Sequence, residues 1–500
     1  MSTVPPKPGE LYRPPIFWVG CCVLFLLFAI SLIVHGQGQF GDTDPLWHIA
    51  TGDLIRANQA IPMHDPWSFT AGNYPWINIS WLWDVIFSWI HQELGWHGAI
   101  AANGMIIAIM IVFVFTNCID RGGHWLAVCV ALFAASSMFS MMLRPLQFSS
   151  MMVAIWLWIL ASTVRGQIRP IWLFTLPLMM LAWVNIHGGF MVGLMLLGAF
   201  FLQTLFDKNY ALAKPLFLTG VALVPALLCN PYGVQMYVMV LTQMHPVFAP
   251  FAHEWQPLVT SFTNLHNYFY IVAFPILTIR RPLGVLPVER WLAYLWFFLG
   301  LTSNRHLTMF AIISAPVVAA SLQGYCMRMP PIHAEGILRE SMLFVYNRRI
   351  VATLMLILCG LVVVLLPSPM AAHLFKSHAV APPSLKPEIE FLQKNYPHVH
   401  LLNHYDLGGI LIYETRGKIP VFVDPRGETA VPPAVMEDYV LFVQSKPGWE
   451  EILDRYHLDA IMIPNVGHDD FFDRFQSRQG WKEVFKGPVA TLFIRTPVKE

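Results

Sequence analysis

The stretch Phe40-Gly-Asp-Thr-Asp-Pro-Leu-Trp-His-Ile-Ala-Thr-Gly-Asp-Leu-Ile55 begins a few residues after an apolar run from Ile16 to Val34. It sets two carboxylates, Asp42 and Asp44, one residue apart, with Trp47 and His48 close behind. Such a pair can hold a hard divalent cation, Mg²⁺ or Mn²⁺, that bridges to phosphate oxygens. One of the two could instead act alone as a general base. Asp44-Pro45 also has the form of a helix N-cap followed by proline at the first helical position, and both uses stay open. Further along the loop come Arg56 and then His64-Asp65-Pro66-Trp67-Ser68, where Asp65-Pro66 repeats the device.

The rest of the chain makes this loop a membrane loop. The 500 residues are 56% hydrophobic and only 12% charged, about half the charged fraction of soluble domains. Ile16–Val34 is long enough to cross a bilayer and lacks a small-residue cleavage site, so it reads as a retained first helix. Further spans are expected near 98–117, 124–142, 149–164, 170–186, 189–206, 214–229, 267–279, 287–302, 306–326 and 350–367, about eleven transmembrane helices in all. Residues 78–95 are apolar but carry Asp84, His91 and Glu93, which reads as an amphipathic helix lying on the membrane or packed against the bundle.

The loop cations orient the bundle. With the N-terminus in the cytoplasm, that side receives Lys7, Arg13, Arg121, Arg165, Arg169, Lys208, Lys214, Arg280, Arg281, Arg290, Arg328, Arg339, Arg348 and Arg349. Before the last span the opposite side receives Arg56, Arg144 and Arg305. The loops 36–97 and 230–266 then lie outside, as does everything after Pro367. The expected layout is a transmembrane domain over 1–367 and an extracytoplasmic domain over 368–500. The net charge of +1 gives no reason to expect a nucleic-acid partner. The cysteines lie in or beside apolar segments without metal-like spacing and read as packing residues.

Beyond a proline-rich linker, HVHLLN, VFVD, AIMIP and ATLFIR read as short strands, and EIEFLQKNY and WEEILDRYH as helices, giving a small α/β domain. Residues from about 380 onward are expected to fold on their own. Asn403-His404-Tyr405-Asp406-Leu-Gly-Gly409 and Val423-Asp424-Pro425-Arg426-Gly427 follow strand-like runs; they fit ordinary turns or a site at strand ends.

The acidic loop motif, the amphipathic helix, the helical bundle and the C-terminal outer domain together resemble the GT-C class of membrane glycosyltransferases. Residues 40–55 are similar in pattern to the first loop of oligosaccharyltransferases. The whole chain resembles bacterial multi-spanning proteins that share Gly-Asp-x-Asp-x-x-Trp-His, Trp-x-Asn-x-His-Gly, Asn-Pro-Tyr-Gly and Val-Asp-x-Arg, here residues 41–48, 183–188, 230–233 and 423–426. The resemblance implies a polyprenyl-phosphate-linked sugar donor and an inverting transfer at the outer face, with Asp44 as the catalytic carboxylate. The Trp-Trp-Asp hallmark of oligosaccharyltransferase C-terminal domains is absent, which argues against peptide N-glycosylation.

Candidate site residues follow. Asp42 and Asp44 would be catalytic or hold a divalent cation. His48, Arg56, His64, Asp65, Arg144, His187, Arg305 and His306 would meet the substrate, arginine being suited to a lipid phosphate. For His187 the competing reading is a helix C-terminus before glycine; for Arg144 and Arg305 it is snorkelling to the headgroups. A non-catalytic scaffold on a GT-C-derived fold is the main alternative function. A transporter fits less well, since the spans carry few charges and no internal repeat.

Overall fold

A computed structural model describes residues 43–72, 74–121, 125–136, 138, 140, 142–242, 245–251, 253–258, 265–280, 282, 284–326, 382–465 and 480–496. Asp42 and the expected spans 16–35 and 350–367 lie outside these. The chain divides into two compact units. Unit 1 comprises Met1–Gly36, Ile100–Cys229 and Glu254–His378, and unit 2 comprises Gln37–Ala99, Asn230–His253 and Ala379–Glu500.

Unit 2 opens with α1 (Asp44–Asn58) and the first part of α2 (Trp81–Asp120), which is broken at Gly95 with φ 65° and ψ −166°. That left-handed conformation favours glycine, and it ends the amphipathic segment expected at 78–95. Trp83 and Phe87 are buried in it, and Gln92 and Glu93 are exposed. Asp84 and Ser88 are also buried, whereas Ile86, Trp89 and Leu94 are exposed. At Gly52 of α1, a Cβ would come within 2.0 Å of the Asp84 carbonyl oxygen, so only glycine permits this approach to α2.

In the bundle, unit 1, most of the described helices fall close to segments expected to span. The helices are the remainder of α2, α3 (Trp125–Ser136), α4 (Leu146–Val164), α5 (Thr175–Ile186), α6 (Phe190–Phe206) and α7 (Tyr210–Leu228). Unit 2 supplies α8 (Gln235–Thr242), and unit 1 resumes with α9 (Leu265–Thr278), α10 (Pro287–Thr302) and α11 (Leu307–Cys326). Four described helices are long and apolar enough to cross a membrane, and three shorter apolar ones accompany them. α11 is central, packing on α3 and α10, whereas α7 packs on α5 and α6 and exposes Phe217, Val221, Val224 and Leu228. The expected span 124–142 stops as a helix at Ser136. Beyond it the backbone is non-helical to Pro145 at 138, 140 and 142–145, and Asn103, Gln147 and Thr308 serve its polar groups, as non-helical backbone buried in a membrane bundle requires.

The C-terminal part of unit 2 is a four-stranded mixed sheet in the order β1-β2-β4-β3. The strands are β1 (Leu401–Asn403), β2 (Ala460–Pro464), β3 (Trp481–Lys486) and β4 (Ala490–Arg495). β1 runs parallel to β2, and the other pairings are antiparallel. Side chains alternate between two cores, as strand geometry dictates. Leu401, Ala460, Met462 and Leu492 face α12 (Lys386–Asn395) and α13 (Gly408–Thr415). Leu402, Ile461, Ile463 and Phe493 face α14 (Pro433–Val443) and α15 (Trp449–Arg455).

Two expectations fail here. VFVD is not a strand of the sheet. Its Phe422 N–H donates to Asn403 Oδ1 at 2.8 Å, Asn403 Nδ2 donates to the Val423 carbonyl, and Val421 pairs with residues 67–69. A buried side-chain amide thus takes the place of a neighbouring strand. Nor does the C-terminal segment close its own core. Leu46, Trp47 and Ala50 of α1, with Trp67 and Trp76, complete the first core, and Phe248 joins the second.

Candidate functional site

Asp44 stands in the first turn of α1. The N-cap is Thr43, which makes no side-chain cap bond; its hydroxyl donates to the Asp406 carbonyl at 2.8 Å. Asp44 is thus an acidic residue of the first turn, one position after the N-cap. Its Oδ1 accepts from the Trp47 indole N–H at 3.3 Å, one helical turn on. The Trp47 ring stacks on His48, with centroids 3.6 Å apart. His48 Nδ1 lies 2.5 Å from Asp84 Oδ1, and both side chains are buried. Asn78 Nδ2 donates to the other Asp84 oxygen at 2.7 Å, and the Asn78 N–H donates to the Tyr232 hydroxyl at 3.1 Å. A buried carboxylate needs such partners to offset its lost hydration. Two quoted motifs, Gly-Asp-x-Asp-x-x-Trp-His and Asn-Pro-Tyr-Gly, thus meet in one buried chain of contacts within unit 2.

Asp65 is occupied in building the fold. It accepts from the backbone N–H groups of Trp67 and Ser68 and from the Ser68 hydroxyl. Its other partner is Arg426, 2.7 Å away as an ion pair. Arg426 also binds Asp424 through two nitrogens at 2.7 Å and lies 4.6 Å over the Trp76 ring. Burial works against this guanidinium's charge, but Asp424 and Asp65 outweigh it and hold its pKa above the ordinary value. Nearby, burial pushes the Tyr439 hydroxyl well above the usual phenol range, and that hydroxyl accepts the Tyr405 N–H. The Val-Asp-x-Arg motif is therefore a clamp between the C-terminal part and the first loop.

In unit 1 two arginines distant in sequence share one carboxylate. Arg144 NH1 lies 3.3 Å from Glu254 Oε2, and Arg305 NH1 lies 3.9 Å from Glu254 Oε1. Arg305 also stacks 4.3 Å over Trp255, while the Ser303 hydroxyl donates to the Glu254 carbonyl. All three charged side chains stay 22–35% exposed. Arg144 precedes α4 and Arg165 caps its far end, where Arg121, Arg165 and the buried Glu289 form a second cluster. The 19 residues of α4 span about 28 Å, close to the hydrocarbon thickness of roughly 30 Å. Arg144 and Arg305 thus lie at one end of α4, and Arg121 and Arg165 at its opposite end.

His187 caps α5. Its Nδ1 accepts from the Gly189 N–H at 3.0 Å and lies 2.8 Å from the Ser149 hydroxyl, which in turn accepts from the Trp183 indole. Asn185 of the same motif donates to the Cys229 carbonyl, tying α5 to the end of α7. Arg56 donates to Ser88 at 3.2 Å, and Ser88 donates to Asp53, which pairs with Arg416. His64 is exposed on a backbone bridge to Pro75. His306 lies in a short 3₁₀ turn with its ring 6.1 Å from Trp296. Among the described residues no three His, Cys, Asp or Glu side chains converge to hold a metal ion. Sequence reasoning placed the loop 230–266 outside without singling out Glu254, and it missed Asp84 as a partner of His48. The available signal was a lone carboxylate inside WLWDVIF.

No family model and no curated protein sequence matches the chain. Its fold is similar to that of solved archaeal oligosaccharyltransferases. It is similar to the apo oligosaccharyltransferase of Archaeoglobus fulgidus, with 13% identity and a TM-score of 0.53, covering 90% of this chain and 70% of that one. The archaeal oligosaccharyltransferase AglB from the same organism, solved with an inhibitory peptide and a dolichol-phosphate, gives 12% identity and a TM-score of 0.51 over the same shares.

Proposed function

We propose that this protein is a membrane glycosyltransferase that moves a sugar from a polyprenyl-phosphate-linked donor to a lipid, glycan or protein acceptor at the outer face of a bacterial inner membrane. In this reading the N-terminus is cytoplasmic, residues 1–367 form the eleven-span bundle and 368–500 the periplasmic part. Asp44 is the catalytic carboxylate. It takes the proton of the acceptor hydroxyl as that oxygen attacks the anomeric carbon, and the bond to the donor phosphate breaks with inversion. Separately, within unit 1, Arg144 and Arg305 are suited to bind a lipid phosphate, an anion that matches paired guanidinium groups. The observation that carries the reading is the pair of partly exposed arginines on Glu254, in a fold shared with an enzyme solved with a dolichol-phosphate. Asp44 is a single described carboxylate and Asp42 lies outside the described residues, so no step is assigned to a divalent cation.

The test compares lipid extracts of cells with and without the protein. A polyprenyl-phosphate sugar should accumulate when the protein is missing. Identical extracts would overturn the reading and favour a scaffold, for which the Asp44–Trp47 contact is simply part of α1.

A further inference from the structure

At the Arg165 end of α4 the chain turns tightly. Gly166 is left-handed, with φ 70°, and the N–H groups of Gln167 and Ile168 both donate back to the Ser162 carbonyl. Next to the turn is a cleft of about 350 Å³ lined by Thr163, Gly166, Gln167, Ile168, Arg169 and Leu212, among others. The turn's two arginines have separate fates. Arg165 reaches inward to the buried Glu289. Arg169 is exposed and meets no carboxylate among the described residues. From 163 to 214 the charges are Arg165, Arg169, Lys208 and Lys214 against Asp207 alone, and Asp207 accepts from Gln203.

The surroundings are apolar and exposed. Ile171 is 65% exposed, Trp172 55%, Phe206 82% and Tyr210 67%. They sit where α4 ends and where the helical stretch 170–186 and α7 begin, so the cleft lies at the rim of the spanning layer. Aromatic side chains at such a rim belong to the bilayer interface, and basic pockets between spanning helices attract anionic headgroups.

We infer that this cleft is a binding site for the headgroup of an anionic phospholipid. Arg169 would pair with the phosphate, while Trp172 and its apolar neighbours lie along the acyl chains. The choice of a lipid over a free phosphate rests on those neighbours. An inorganic anion would gain the guanidinium alone, in competition with water and salt, whereas a lipid also covers the exposed rings. The inference is independent of the transfer reaction.

The test uses the purified full-length protein in zwitterionic detergent and follows its thermal midpoint. Phosphatidylglycerol, phosphatidylcholine and inorganic phosphate are titrated separately. Phosphatidylglycerol should raise the midpoint by about 2–4 °C through binding to the folded state, and the other two should leave it unchanged. Arg169→Gln should abolish the shift without lowering the lipid-free midpoint, since the side chain is exposed, and Arg169→Lys should keep part of it. A full shift in Arg169→Gln would overturn the inference, as would equal shifts with phosphatidylcholine. A matching response to inorganic phosphate would replace the lipid with a small anion and also overturn it.

Discussion

Arg426 in unit 2 and the Arg144–Arg305 pair in unit 1 are built from the same side chains in inverse proportions. Arg426 is one guanidinium between two carboxylates, fully buried and stacked on Trp76. Arg144 and Arg305 are two guanidinium groups around one carboxylate, and all three side chains are open to solvent. A buried, doubly paired cation has no capacity left for a ligand, and its removal strands two carboxylates in a dry interior. Two partly exposed cations on one anion retain positive charge at lower desolvation cost, which suits a ligand that must also leave. Stoichiometry and burial, not residue type, separate the clamp from the candidate site.

The severest way to break the comparison is to remove the first loop altogether. A fragment from residue 382 onward, expressed alone, lacks Leu46, Trp47, Trp67 and Trp76 from its core and Asp65 from Arg426. It should show no cooperative unfolding by circular dichroism; a sharp transition would mean that the clamp is dispensable. Next, Arg426→Ala in the full chain should destabilise it by about 3–5 kcal/mol, the usual result of stranding a buried ion-pair partner. This would be read as lost membrane abundance and protease resistance.

Asp44→Asn tests the other side. Asparagine preserves shape and can still accept from the Trp47 indole, so abundance should hold. Transfer of labelled sugar from a polyprenyl-phosphate donor should fall by about 10²–10⁴ if a general base is lost. Full activity would leave Asp44 a structural role in α1. The mildest change is Arg305→Ala or Arg144→Ala, at normal abundance. Each removes one charge-assisted contact worth about 1.5–3 kcal/mol, so donor affinity should weaken roughly 10- to 100-fold, visible in KM more than in kcat. A collapse in abundance instead would place these arginines with Arg426, as structural cations.

Helix positions were legible in the chain because a bilayer demands long apolar runs. Hence α4, α6, α10 and α11 fall within a few residues of the spans read at 149–164, 189–206, 287–302 and 306–326. Short strands were partly legible: β2 and β4 match AIMIP and ATLFIR. The half-buried β3, with its mixed burial pattern, left no comparable run. α13 was hidden by its opening glycines, which read as a turn. They are there because a Cβ at Gly408 would come within 2.6 Å of Asp424 Cβ.

By itself the sequence determined that the protein belongs in a membrane and which loops carry the polar motifs, since hydropathy and charge placement are local properties of the chain. Only the tertiary structure decided what those polar residues do. Asp65 and Arg426, 361 positions apart, form one buried clamp. Asp84 turns inward to His48 instead of outward to water, and Glu254 gathers Arg144 and Arg305. Whether a charge binds a ligand or holds the fold depends on how many partners surround it and how much water is left there, and both are fixed by contacts between residues far apart in the chain.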